Sequence, residues 1–481
     1  MTPPAPRGRF AVAAAATSLF AAATLVDVAP GLNVVVVGAL MGFSVLLWAP
    51  PDLSRGDWAF GVVAFVLLSM FAVRASEMLL FVDLCAAAGL ASLALRGGTT
   101  WRAVVRGVLD VLTKLHRGFG LVVAPLFERA ARHERWNPAW IRGSAVGISL
   151  ALVFGMLFAS ADRAFAQMAR DAFVPEWDVG LIPARIFVAT MVAAFTGGYA
   201  LVARRALVAK TASPWTSVAA PTPGRRRLQT VEWVIPIALI DLVFAAFVTV
   251  QLAVLFGGQQ HVLQTAGLTY AQYARSGFFQ LVVVAALVLV VIAITVSLAK
   301  PLEGRERVAM RALLGALCAL TLVVLVSALY RLGLYEEAYG FTHLRFAVHV
   351  AILWLGAVIG LVVLAGALWR ADWLPRVAVA MTAVVLLAVN GVAPDRFIAD
   401  HNIARFERTG KLDVSYLASL SADAAPALVT LPADELACVL SLRSEEPISE
   451  PLLAFNLARA RARDLLGDFR GLASRCRSYN P

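Results

Sequence analysis

Apolar residues fall in eleven long stretches, at residues 10–26, 32–48, 58–73, 78–95, 143–161, 184–203, 231–256, 277–299, 312–330, 346–368 and 374–391. Each is close to the roughly 20 helical residues that cross the hydrocarbon of a bilayer. Helices satisfy their own backbone there, so the expected fold is all-α: a polytopic bundle of about 11 transmembrane spans over residues 1–391. Residues 392–481 are too polar to continue it and are expected to form a small helical domain.

The basic residues between the stretches alternate between dense and sparse. With the N-terminus and its Arg7 and Arg9 inside, the segments on that side hold 24 Lys and Arg, and the loops on the other side hold 7. This positive-inside asymmetry puts the N-terminus in the cytoplasm and, with an odd number of spans, the C-terminal segment outside. The Ala-rich run behind Arg7 and Arg9 also reads as a signal-peptide core, and its removal leaves the remaining topology unchanged.

Composition agrees, with 60% hydrophobic and 15% charged residues. The net charge of +11 resides in the membrane part, because the segment after residue 391 has 12 acidic residues against 11 basic ones. No basic patch with interleaved aromatics accompanies it, so nucleic acid is not an expected partner. The lipid bilayer is.

Within the cytoplasmic segment 96–142, Trp101, Val104, Val105, Val108, Leu112, Leu115 and Phe119 recur at helical spacing, with Arg102, Arg106, Lys114 and Arg117 elsewhere on the wheel. That pattern predicts an amphipathic helix, either lying on the inner leaflet or packed on neighbouring loops. The Pro- and Ser-rich stretch 211–224 predicts a flexible connection. In the C-terminal segment, Asp413 is placed to cap a helix over 414–420, Asp423 to cap one containing Pro426, and Pro432 to precede another. Residues 450–474 are expected to form the longest helix.

Four strings, LFASADRAFAQM (157–168), GLTYAQYARSGFFQL (267–281), YEEAYGFTHLR (335–345) and LDVSYLASLSADAAPAL (412–428), together resemble a bacterial integral membrane family. It is the domain of unknown function four-one-seven-three, with its relative four-one-five-three. The resemblance covers roughly residues 140–440. It implies a polytopic protein of the bacterial plasma membrane and brings no substrate, cofactor or catalytic residue. By the charge rule all four strings lie on the outer side, which points to an extracytoplasmic working face.

Candidate chemistry is sparse. Asp241 lies ten residues into its span, about 15 Å deep. A carboxylate there is either a proton or ion site, or a protonated group hydrogen-bonded to a neighbouring helix. Asp83 is shallower and is expected to snorkel or to pair with Arg74. The turn between the ninth and tenth spans gathers Arg331, Glu336, Glu337, His343, Arg345 and His349. Arg345 and His349 share a helix face suited to an anionic head group, with Glu337 or His343 as base, or the turn is a solvated loop with local ion pairs. Asp400 and His401 are a candidate acid/base pair, or a cap and its exposed neighbour. Metal-ligand spacing, phosphate loop and GxSxG elbow are all missing, so no metal or cofactor is expected. Cys438 and Cys476 are a candidate disulfide or two separate thiols.

Three functions fit these features. The leading one is a non-enzymatic envelope protein offering its outer loops and tail to a partner or lipid head-group ligand. The others are a membrane enzyme acting on a lipid-linked or head-group substrate through Glu336, Glu337, His343, Arg345 and Asp400, and a proton- or ion-coupled transporter using Asp241.

Overall fold

The computed structural model describes residues 7–48, 54–98, 100–131, 147, 181–211, 229–256, 278–299, 304–443, 450–467, 469 and 476. Its regular elements are helical. In chain order they are α1 (Arg7–Thr24), α2 (Leu32–Trp48), α3 (Arg55–Ser69), α4 (Glu77–Arg96), α5 (Trp101–Thr113), α6 (Leu115–Ala131), α7 (Ile182–Thr211), α8 (Thr230–Phe256) and α9 (Phe278–Leu298). Then come α10 (Gly304–Tyr339), α11 (His343–Leu368), α12 (Leu374–Val392), α13 (Pro394–Thr409), α14 (Val414–Ser419), α15 (Ala425–Leu428), α16 (Ala433–Leu442) and α17 (Leu457–Gly467). Among the described residues, 8 helices are long and apolar enough to cross a membrane, while α1 and α2 are shorter apolar helices. The stretch at 143–161 apart from Gly147, the string at 157–168, the connection at 212–224 and most of the string at 267–281 lie outside the described residues.

Helix lengths depart from expectation in several places, and two matter most. α10 has 36 residues, roughly 54 Å at 1.5 Å per residue, against 19 expected from its apolar run. No Pro interrupts it, and its polar ends continue the helix until Gly340 takes a left-handed φ of 77°. The amphipathic segment is two helices rather than one. It breaks at Lys114 (φ −112°, ψ 1°), whose ammonium joins Arg96 on the Asp110 carboxylate. Burial pushes the Asp110 carboxyl up, but these two cations outweigh it and hold it below the usual carboxylate range. Val104, Gly107 and Val111 are buried, whereas Trp101, Val105, Leu109 and Leu112 form an exposed apolar stripe bordered by Arg102 and Arg106.

The chain divides into two compact units, residues 1–216 with 444–464, and residues 217–443 with 465–481. In the first, Phe10, Ala14, Val45, Trp48, Val122 and Ala193 form the core. α6 and α7 meet backbone to backbone. A side chain on Gly197 would fall on the carbonyl oxygen of Gly118, and one on Gly118 would fall on the amide of Gly198 and the carbonyl of Ala194. Such close approach is how membrane helices gain packing where burial from water gives none. The Gly197-Gly198 pair thus lies inside a continuous helix. Asp83 is wholly buried in α4.

The link between α1 and α2 is organised by buried Asn33, whose amide donates to Thr24 O (2.7 Å) and Ala29 O (3.2 Å) while its oxygen accepts from the Gly31 and Val34 amides. Onto this link lies a strap from the end of the chain. The Leu32 amide donates to Phe455 O (3.0 Å), Arg459 to Pro30 O (3.0 Å), and Asn456 to Phe71 O (2.8 Å) and Arg74 O (2.6 Å). Gly31 has no room for a side chain, because its Cβ would sit 2.5 Å from Ala454 O. Glu450 fixes the strap by accepting from Arg459 (2.5 Å) and by an ion pair with Arg463 (3.1 Å). The long helix expected over 450–474 is therefore replaced. A 3-10 turn (Leu452–Ala454) follows Pro451, and α17 starts afresh where Asn456 accepts from the Arg459 amide.

In the second unit, α8 to α11 enclose a core of Trp233, Ile237, Leu317, Leu325, Leu332 and Ile359. The helices α13 to α16 have their own core, centred on Ile398, Leu417, Leu428 and Leu436. Asp413 caps α14 by accepting from Tyr416 N, as its position predicts. Asp423 does not cap α15: Ser421 caps a short 3-10 turn (Ala422–Ala424) that holds Asp423, and α15 follows with Pro426 in its first turn. Cys438 and Cys476 are joined as a disulfide, with their Cα atoms 4.8 Å apart.

Candidate functional site

The turn between α10 and α11 is a polar junction of the second unit, and α13 lies across it. Ala393 adopts a left-handed conformation (φ 55°) and Pro394 opens α13, so Asp395, Ile398, Ala399 and Asn402 fall on one face. Each polar residue on that face meets the turn. Asn402 pairs with the Phe341 backbone like a strand, accepting from its amide (2.7 Å) and donating to its carbonyl (3.0 Å). The same Asn402 oxygen stands 2.6 Å from where a Cβ on Gly340 would be, and only glycine suits that turn. Arg405, one turn further, donates to the carbonyls of Glu337 (3.1 Å) and Ala338 (2.6 Å), satisfying the end of α10.

Asp395 forms the centre. It is 1% exposed and accepts from the His343 ring at 2.5 Å and from the Ser421 amide at 3.0 Å. Burial pushes its carboxyl up, yet the bonds from His343 and Ser421 prevail and hold it below the ordinary carboxylate range. The other His343 nitrogen lies 3.2 Å from the Tyr416 hydroxyl, which also accepts from the His343 amide at 2.8 Å. Carboxylate, imidazole and phenol in series have the form of an acid/base relay. Here the terminal oxygen is occupied by a backbone amide, and burial pushes the Tyr416 phenol up, away from an activated phenolate. The arrangement binds three chain segments together.

The other members of the sequence cluster are similarly engaged. Arg345 donates to Gly340 O and stacks over the Tyr335 ring at 4.1 Å. His349 contacts the buried Glu336 at 3.3 Å. Arg331 reaches Gln251 at 2.7 Å, and Glu337 is exposed. Arg345 and His349 therefore have separate partners rather than one shared anion-binding face. Asp400 does not join the cluster. It sits mid-helix on the far face of α13, half exposed, 3.7 Å from Arg396. His401 donates Nδ1–H to Phe397 O (2.8 Å) and packs on the Phe397 and Phe341 rings, so Asp400 and His401 do not pair with each other. Among the described residues no group of three His, Cys, Asp or Glu is arranged to hold a metal ion. A cleft of about 600 Å³ nearby is lined by Arg405, Phe406, Lys411, Asp413, Asp434 and Glu435, and by none of His343, Asp395 or Tyr416. Asp241 projects from the core face of α8, and both its carboxylate oxygens are buried without a hydrogen-bond partner among the described residues.

Residues 60–431 match the family described as Domain of unknown function (DUF4153). The chain belongs to this family. The motif resemblance put four-one-seven-three first, and the family is DUF4153. No curated protein and no solved structure matches the chain. The DUF4153 match takes in every helix from within α3 to α15, and so includes the whole Asp395 junction. Asp395 itself went unselected in the sequence. The signal that finds it is the helical register of Ile398, Ala399 and Ile403, which puts Asp395 and Asn402 on the buried face and Asp400 on the other.

Proposed function

We propose that this membrane protein is a non-enzymatic envelope scaffold of the bacterial plasma membrane. Its bundle of about eleven spans would have a cytoplasmic N-terminus, and would offer outer loops and C-terminal helices to a protein or lipid head-group partner. The observation that carries this reading is that His343, Arg345, Glu336 and Asp395 are all spent on bracing the turn and α13. A catalytic group has to be available to substrate. Among the candidate carboxylates named from the sequence, Glu337 and Asp400 are the exposed ones. In cells lacking the native gene, Glu337→Gln and Asp400→Asn should therefore restore the phenotype fully, with unchanged protein level. Loss of function in either variant at normal protein level would instead favour the enzyme reading.

The charge asymmetry and the Cys438–Cys476 disulfide both support an outside location for the C-terminal segment, because disulfides persist in oxidising compartments. In protein from native membranes, both cysteines should resist alkylation until reductant is added, as read by peptide mass spectrometry. Alkylation of both without reductant would argue for a cytoplasmic segment.

A further inference from the structure

The packed face between α8 and α10 carries polar groups at three levels. At one end the Thr230 hydroxyl donates to Glu306 at 2.5 Å. At the other, Gln251 accepts from Arg331 at 2.7 Å and from Ser327 at 3.2 Å. Asp241 stands between Thr230 and Gln251, roughly 15 Å along the axis from each at 1.5 Å per residue. Together the three levels span about the thickness of the hydrocarbon layer.

Asp241 shares its face with Trp233, Ile237 and Val248, all buried, while Leu239, Leu242 and Val243 point away and are exposed. Its two oxygens are buried and, among the described residues, receive no hydrogen bond. Thr321, wholly buried on α10, donates its hydroxyl to Leu317 O at 2.6 Å. The titratable group within electrostatic reach of Asp241 on α10 is the Cys318 thiol, with Glu306 and Arg331 at the two ends. α9, which packs on α10, contains no titratable residue. A carboxylate kept for structure has a donor from a neighbouring helix, and Asp241 has none among the described residues. An uncompensated charge at that depth is costly, and a bound proton removes it. A metal cation would need several oxygen ligands, whereas one carboxylate supplies two.

We propose that Asp241 is an intramembrane proton-binding site, exchanging protons along the polar seam between α8 and α10. This goes beyond the scaffold reading and does not rest on it. The test uses the full-length protein in liposomes, treated with dicyclohexylcarbodiimide, a membrane-soluble reagent that adds to protonated carboxyl groups, and mapped by peptide mass spectrometry over a pH series. Asp241 should be modified, with labelling falling roughly tenfold per pH unit above its midpoint and unchanged by sodium at fixed pH. Asp241→Asn should lose the label at that position. Should that variant fail to accumulate, the wild-type pH series decides by itself. Recovery of the peptide unmodified at every pH would overturn the proposal. So would protection by sodium at constant pH, which would identify a metal-cation site.

Discussion

Asp395→Ala is expected to free α13 from the turn between α10 and α11 while leaving the apolar helices inserted. The carboxylate is 1% exposed and accepts from the Ser421 amide and the His343 ring, so its removal leaves both without it. Breaking a buried charged pair from one side costs on the order of 3 kcal/mol. Limited proteolysis of membrane vesicles should show cleavage within residues 394–443 at protease levels that the wild type withstands. Asp400→Ala, on the exposed face, should change resistance little, by about 0.5 kcal/mol or less. The effect also has a sign in pH. The Asp395 carboxyl is held below its ordinary value of about 3.9, so its contribution is complete above that value and is lost as pH falls through the lowered one. Wild-type resistance should fall on strong acidification, and the part due to Asp395 should be missing from Asp395→Ala at every pH.

Gly197→Val is expected to prevent α6 and α7 from seating. The new Cβ would collide with the carbonyl oxygen of Gly118 and lie 2.7 Å from its Cα. These are backbone atoms, and no change of rotamer removes the overlap. The helices would have to separate, at a cost of about 3 kcal/mol, the upper end of ordinary overpacking penalties. Fluorescence-detected size exclusion in mild detergent should show loss of the monodisperse peak. Gly120 provides the control, since a Cβ there meets nothing within 4 Å. Gly120→Ala should keep the monodisperse peak and raise stability by up to about 1 kcal/mol through helix propensity.

The membrane helices were legible because the bilayer imposes a length and an apolar composition that can be read without knowing any contact. Ten of the eleven apolar stretches coincide with described helices. Helix ends were less legible. Nothing in an apolar window signals that α10 runs on through Arg305 at one end and Tyr335 at the other. The turn was legible as a place, since YEEAYGFTHLR concentrates polar residues, but its pairings depend on which face α13 presents. A helix capped by Asp400 would start seven residues after the observed Pro394, and that reading points to the exposed side, where Arg396 is the partner of Asp400. The strap was invisible for another reason: Asn456 and Arg459 act on backbone carbonyls of Phe71, Arg74 and Pro30, and carbonyls carry no sequence signature.

That strap has a consequence for the order of biosynthesis. Asn456 and the Arg74 carbonyl that it binds are 382 residues apart, which at bacterial and eukaryotic translation speeds separates them by roughly 20 to 80 s. Throughout that interval the links after α1 and α3 have already been synthesised, but Leu32, Phe71 and Arg74 lack these partners. The links after α1 and α3 are thus completed only by residues made much later. A nascent chain that has not yet reached Asn456 therefore carries these links without the hydrogen bonds that the strap supplies.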